Sequence, residues 1–175
     1  QNLKQVLNSL PFNLTNAQNR ALNEILNDMN SNKVMNRLVQ GDVGSGKTAV
    51  SIASCYYAFK NGFQSTIMAP TEILAQQHFD TFRKILQPLG VNVGLLTGSL
   101  SIKEKKLVRQ QIENGELNVI AGTHALIQKD TIFHNLGLVI TDEQHRFGVN
   151  QRKSLQNKGE FVDVLYLSAT PIPRT

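Results

Sequence analysis

The chain has 175 residues, 41% of them apolar, and a formal net charge of +5. That is enough for one domain with a sizeable core, too apolar for a disordered segment, and compatible with a polyanionic partner without requiring one. A single cysteine, Cys55, excludes an internal disulfide; no apolar run approaches the roughly 20 residues that span a bilayer, and the polar N-terminus lacks a signal-peptide pattern, so a cytoplasmic protein with no membrane association is expected.

Thr15 is positioned to cap a helix over 17–29, which Asn30-Ser31-Asn32 ends. A short strand at 36–40 then runs into Gly41-Asp42-Val43-Gly44-Ser45-Gly46-Lys47-Thr48, which opens a helix at 48–60. Strand, glycine turn and helix in that order are the context in which this eight-residue pattern binds a nucleoside triphosphate. The glycines let successive N–H groups turn inward around a β-phosphate, and the helix N-terminus adds partial positive charge. Lys47 is expected to reach the β/γ-phosphate oxygens and Thr48 to give its hydroxyl to Mg2+. A glycine turn that merely caps a helix is the alternative, and the complete pattern in its setting weighs against it. Tyr56 and Tyr57 read as packing residues within this helix.

Further strands are expected at 65–69, 92–96, 118–121, 136–141 and 163–168, with helices at 71–87, 101–113 and 151–157. Ser101-Ile102-Lys103-Glu104 reads as a capping box. Repeated βα units of this length imply an α/β fold, a mostly parallel central sheet with helices on both faces, whose post-strand loops share one edge. That edge carries Ala69-Pro70-Thr71-Glu72, Thr97-Gly98-Ser99 and Gly122-Thr123-His124. Each combines a hydroxyl residue with an incipient helix, which can donate to the phosphates of a nucleic-acid strand; Thr71, Ser99 and Thr123 read equally well as ordinary caps. Lys103, Lys105, Lys106 and Arg109 on one helix, and Arg83 with Lys84 on another, read as solvated faces. His124, His134 and His145 lack metal-site spacing.

The apolar run Leu136–Ile140 leads to Asp142-Glu143-Gln144-His145. An aspartate at a strand's end can hold the magnesium shell while Glu143 orients and deprotonates the attacking water. The glycine turn at 41–46 and the acid pair at 142–143 are expected to meet across adjoining strands around one triphosphate.

With Leu167-Ser168-Ala169-Thr170 added to the glycine motif and DEQH, nearly the whole chain resembles the first RecA-like motor domain of a superfamily 2 helicase. More closely, LPFNLTNAQ (10–18), APTEILAQQH (69–78), LLTGS (95–99), GTHALIQ (122–128), DEQHRFG (142–148) and SATPIPRT (168–175) resemble the RecG family of bacterial ATP-dependent DNA helicases, which remodel stalled replication forks and branch-migrate Holliday junctions. DEQHRFG and SATPIPRT are far more specific than the glycine motif. The transcription-repair coupling factor, a double-stranded DNA translocase, has a similar HRFG and TPIPRT pair; GDVGSGKT, TEILAQQH and the glutamine of DEQH favour RecG. A transporter-type ATPase is disfavoured, since no Leu-Ser-Gly-Gly-Gln signature follows the glycine motif.

The resemblance implies ATP with Mg2+ as cofactors, because Phe12 and Gln18 match the segment that meets adenine. It assigns Ser168, Ala169 and Thr170 to coupling between nucleotide and nucleic acid, with His145 and Arg146 alongside. Phe147 falls in a strand-sensing loop, where it either stacks on a base or packs against the core. Residues 1–175 would form a single RecA-like ATP-binding domain, the N-terminal motor half of a monomeric bacterial protein working at the nucleoid. The chain begins at Gln1 and stops at Thr175 directly after a motif, so a piece of a longer protein is expected. Branched DNA would be its partner, and a second RecA-like domain in cis, together with a wedge module, would lie elsewhere in that protein. The piece alone is expected to bind ATP and DNA weakly and to unwind nothing.

Overall fold

Apolar runs of four to seven residues alternate with amphipathic segments, and in the computed structural model, which describes residues 16–30, 36–40, 45–142 and 162–168, they fold as strands and helices in turn. In chain order these are α1 (Asn16–Asn30), β1 (Asn36–Gln40), α2 (Ser45–Lys60), β2 (Gln64–Met68), α3 (Glu72–Leu86), β3 (Val93–Leu96), α4 (Ile102–Glu113), β4 (Val119–Gly122), β5 (Leu136–Asp142) and β6 (Asp163–Ser168). Short 3₁₀ turns occupy Gln87–Leu89 and His124–Ile127. Strand ends agree with the sequence reading to within one residue. The helix expected at 151–157 and the cap at Thr15 lie outside the described residues. Helix α2 opens three residues earlier than expected, at Ser45. The first turn of a helix has no intrahelical partners for its N–H groups, so the second half of the glycine motif can itself be that turn.

Every described strand pairing is parallel, in the order β1-β6-β5-β2-β4-β3. This corrects one expectation: β1 and β5 do not adjoin, because β6 lies between them. Strand position in a parallel sheet is set by crossovers and long-range pairing, which no local pattern records.

Alternate strand residues feed two cores. Ile67, Val119, Ala121, Leu138, Ile140 and Leu165 pack with α1, α2 and α3, including Leu22, Ile25, Ile52, Phe82 and Leu86. Met68, Ile120, Val139 and Val164 pack on the other face with Leu96, Ile112 of α4 and Leu126. Fully burying such a side chain is worth about 1.5–3 kcal/mol relative to exposure, so a sheet covered on both faces explains why β5 reads as a continuous apolar run.

Helix α2 is buried continuously from Val50 to Ala58, with Tyr56 and Tyr57 each 4% exposed, which bears out their packing role. Its buried Ser54 is satisfied locally, donating to the Val50 carbonyl at 2.8 Å. Among the described residues no helix is long and apolar enough to cross a membrane.

At the edge where the strands begin, the buried Gln64 ties three segments together. Its Nε2 donates to the carbonyls of Ile112 (2.9 Å) and Leu117 (2.8 Å), and its Oε1 accepts from the Asn135 N–H at 2.8 Å.

Candidate nucleotide and nucleic-acid site

Parallel strands deliver their following loops to one edge, and strand order sets the sequence of loops along it. From one end come β1, leading into the glycine motif, then β6, ending at Ser168, and β5, ending at Asp142. Beyond them lie β2, which leads to Pro70 and Thr71, β4, which ends at Gly122, and β3, which leads to Thr97-Gly98-Ser99. The triphosphate candidates thus occupy one half of the edge and the nucleic-acid candidates the other, and the β5–β2 pairing joins the halves.

The registers align Val39, Leu167 and Asp142 in one row. At about 4.8 Å per strand spacing, the Asp142 backbone lies about 10 Å from that of Val39. Ser45, Gly46, Lys47 and Thr48 form the first turn of α2, and Thr48 is half-buried there. That position supplies free N–H groups and the positive end of the helix dipole to an anion. Lys47 and Thr48 in the first turn of α2 and Asp142 at the end of β5, two strands away, are the positions that the sequence reading assigns to a magnesium-bound triphosphate. Ser168 ends the strand between the two halves of that set. Gln18 is half-buried on α1. Phe12, Gly41, Asp42, Val43, Gly44, Glu143, His145, Arg146, Phe147, Ala169 and Thr170 lie outside the described residues.

The three remaining loops resolve differently. Pro70 is half-buried, and Thr71 is a true cap: its backbone is extended and its hydroxyl accepts from the Leu74 N–H at 3.2 Å. Ser99 caps nothing. Helix α4 is capped by Ser101, whose hydroxyl accepts from the Glu104 N–H while the Glu104 carboxylate accepts from the Ser101 N–H, both at 3.1 Å, which is the expected capping box. Ser99 instead donates its N–H to Glu72 Oε1 at 2.6 Å, and its hydroxyl lies 3.5 Å from that of the buried Thr97. Hydrogen bonds from the Ser99 side chain and backbone hold the Glu72 carboxyl below its ordinary range against desolvation, with smaller help from Thr97 and Lys105. Thr123 occupies the cap position of the 3₁₀ turn without a side-chain cap bond, and His124 beside it is exposed. Gly122 is required by packing, since a Cβ would strike the Leu96 carbonyl and stand 2.9 Å from Leu126.

Arg109 departs from the solvated-face reading. It is half-buried, and it donates from Nε to Thr131 Oγ1 (3.2 Å) and from a terminal nitrogen to Gln128 Oε1 (2.9 Å). It thereby fastens α4 to the loop that follows Gly122-Thr123-His124. Both Arg109 and Glu72 were missed as site-building residues. Glu72 carried only the signal of an acid at a helix start, and Arg109 only that of a basic helix face.

Residues 15–175 match the family model for DEAD/DEAH box helicases, and the chain belongs to that family. Within it the chain is 55% identical over 99% of its length to the ATP-dependent DNA helicase RecG of Staphylococcus epidermidis, and 54% identical over all of it to RecG of Bacillus subtilis. It spans about a quarter of the length of these curated relatives, 25% and 26% respectively. A solved structure of RecG bound to a three-way DNA junction superposes with a TM-score of 0.85 at 50% identity, covering 97% of this chain and 23% of that one. The Mycobacterium smegmatis helicase Lhr, solved with single-stranded DNA and AMP-PNP, shares the fold at TM-score 0.61 and 15% identity, covering 78% of this chain and 20% of its own.

Proposed function

We propose that this chain is the ATP-binding motor domain of a RecG-type DNA helicase, driving fork remodelling and Holliday-junction branch migration in the whole protein. The observation that carries this reading is the divided sheet edge, with triphosphate chemistry over β1, β6 and β5 and strand-tracking loops over β2, β4 and β3. Lys47 meets the β/γ-phosphates, Thr48 and Asp142 hold magnesium, and Glu143 orients and deprotonates the attacking water. The metal, when bound, neutralises charge on the phosphates. Phe12 and Gln18 contact adenine. Pro70, Thr71, Thr97, Gly98, Ser99, Gly122, Thr123, His124 and Phe147 line the DNA track, with positioning contacts to its phosphates that carry no sequence information. Ser168, Ala169 and Thr170, with His145 and Arg146, relay between the two halves. A second RecA-like domain in cis and a wedge module complete the monomeric bacterial enzyme, which works on branched DNA at the nucleoid.

The test is DNA-dependent ATPase and branch migration by the full-length protein on fork, Holliday-junction and single-stranded substrates. Lys47→Ala should abolish turnover. Glu143→Gln should retain ATP binding while kcat falls by about 10²- to 10⁴-fold, the usual worth of a general base. Wild-type turnover in both variants would overturn the site. DNA affinity should fall steeply with salt and vary little with sequence. The relatives named above are DNA helicases and favour this reading over the coupling-factor motor, which would translocate on duplex DNA without unwinding forks.

A further inference from the structure

Glycine is costly to order, so a glycine outside a tight contact calls for a reason. Gly62, Gly90 and Gly115 have one in their positive φ angles of 85°, 88° and 79°. Gly94, Gly122 and Gly137 have one in the neighbours a Cβ would meet, Leu117, Leu126 and Phe63 among them. Gly98 has neither. Its φ lies outside the left-handed region, and among the described residues nothing stands within 4 Å of where a Cβ would be. It is exposed, between Thr97 and Ser99, on the half of the edge read as the DNA track. A missing side chain with no use among the described residues fits close passage of an external backbone.

The turn that presents Gly98 is held from a distance. Glu72 is the first residue of α3, which follows β2, yet its carboxylate accepts the Ser99 N–H in the turn after β3. Strand β4 lies between β2 and β3, so this bond spans the first and third loops of the track above the middle one. Lys105 is close enough to act on the same carboxylate. A free acid beside a phosphodiester would repel it; one whose oxygen accepts the Ser99 N–H directs charge into the turn.

We propose that Glu72 is a positioning residue that acts through Ser99 to hold Thr97-Gly98-Ser99 with Gly98 outward for contact with a DNA phosphodiester. The proposal rests on the reading of this edge as the DNA track. It is tested in the full-length protein by ATPase rate against DNA concentration, alongside thermal melting. Glu72→Ala should raise the half-saturating DNA concentration about three- to tenfold, the worth of one modest hydrogen bond, with kcat at saturating DNA unchanged and the melting midpoint lowered by no more than about 4 °C. Glu72→Gln, whose side-chain carbonyl can still accept from Ser99, should restore most of the loss. Wild-type or tighter DNA dependence in Glu72→Ala, or equal defects in the Ala and Gln variants, would overturn the proposal. Gly98→Ala should melt like wild type yet demand more DNA. If it does not, the DNA-track reading itself fails, whereas an impaired Gly98→Ala beside a normal Glu72→Ala removes only the positioning role.

Discussion

Replacing Gln64 by glutamate changes one nitrogen to oxygen in a buried side chain at the edge where the strands begin. Gln64 is 3% exposed and makes three hydrogen bonds of 2.8–2.9 Å. The bond accepted from Asn135 survives the change, but the two donated to Ile112 and Leu117 become contacts between acceptors. Two lost bonds at about 0.5–1.5 kcal/mol each, plus the cost of leaving a buried acceptor without its donor at about 1–3 kcal/mol, predict a loss of about 2–6 kcal/mol at neutral pH. For a domain of this size that lowers Tm by about 4–24 °C. The introduced carboxyl can relieve the clash only by keeping its proton, so its folded pKa must rise. A raised folded pKa contributes stability that is intact below the unfolded value and is lost as pH rises through the folded one. Urea unfolding followed by circular dichroism should therefore give a deficit that is large at pH 8 and shrinks toward pH 5. A deficit below about 1 kcal/mol, smaller than either lost bond and the burial term require together, or one independent of pH, would refute the reasoning.

Two further outcomes follow from the core. Burial pushes the Cys55 thiol from 9.0 up to about 12, with the Ser65 hydroxyl beside it opposing slightly although it makes no hydrogen bond of ordinary geometry. The folded protein should resist Ellman's reagent at pH 8 and react at once in urea, and the stability contributed by the neutral thiol should be lost as pH climbs from 9 toward 12; rapid reaction in the native state would contradict this burial. Thr66 is fully buried on β2, and its hydroxyl has no hydrogen-bond partner among the described residues. Thr66→Val should stabilise by about 1 kcal/mol, read as a rise in Tm, and a fall would mean that the hydroxyl is bonded.

Local pattern carried the elements and left the long-range geometry unstated. Hydrophobic runs located every described strand to within a residue, and Ser101 with Glu104 announced a cap whose two bonds both form. The fate of Thr71, Ser99 and Thr123 was not legible, since all three are hydroxyl residues near helix starts and only their three-dimensional partners separate a cap from a bridged turn. Arg109 misled for a related reason: periodicity puts it on an outer helix face, but Thr131 and Gln128, about 20 positions later, pack against that face. The separation of β1 from β5 is likewise a property of the whole sheet. Only the interposed β6 reveals it.

The insertion of β6 also has a bearing on how the molecule is made. Among the described strands β1 has one neighbour, and Asn36 pairs with Val164. On the ribosome, β1 emerges well before β6 and must wait for the intervening strands and helices before its ladder can close, a contact pattern that slows folding. Until then β1 and the outer side of β5 present open edges, the kind of surface on which nascent chains pair wrongly. Mutations that weaken β6 should therefore reduce the yield of native protein more than its final stability.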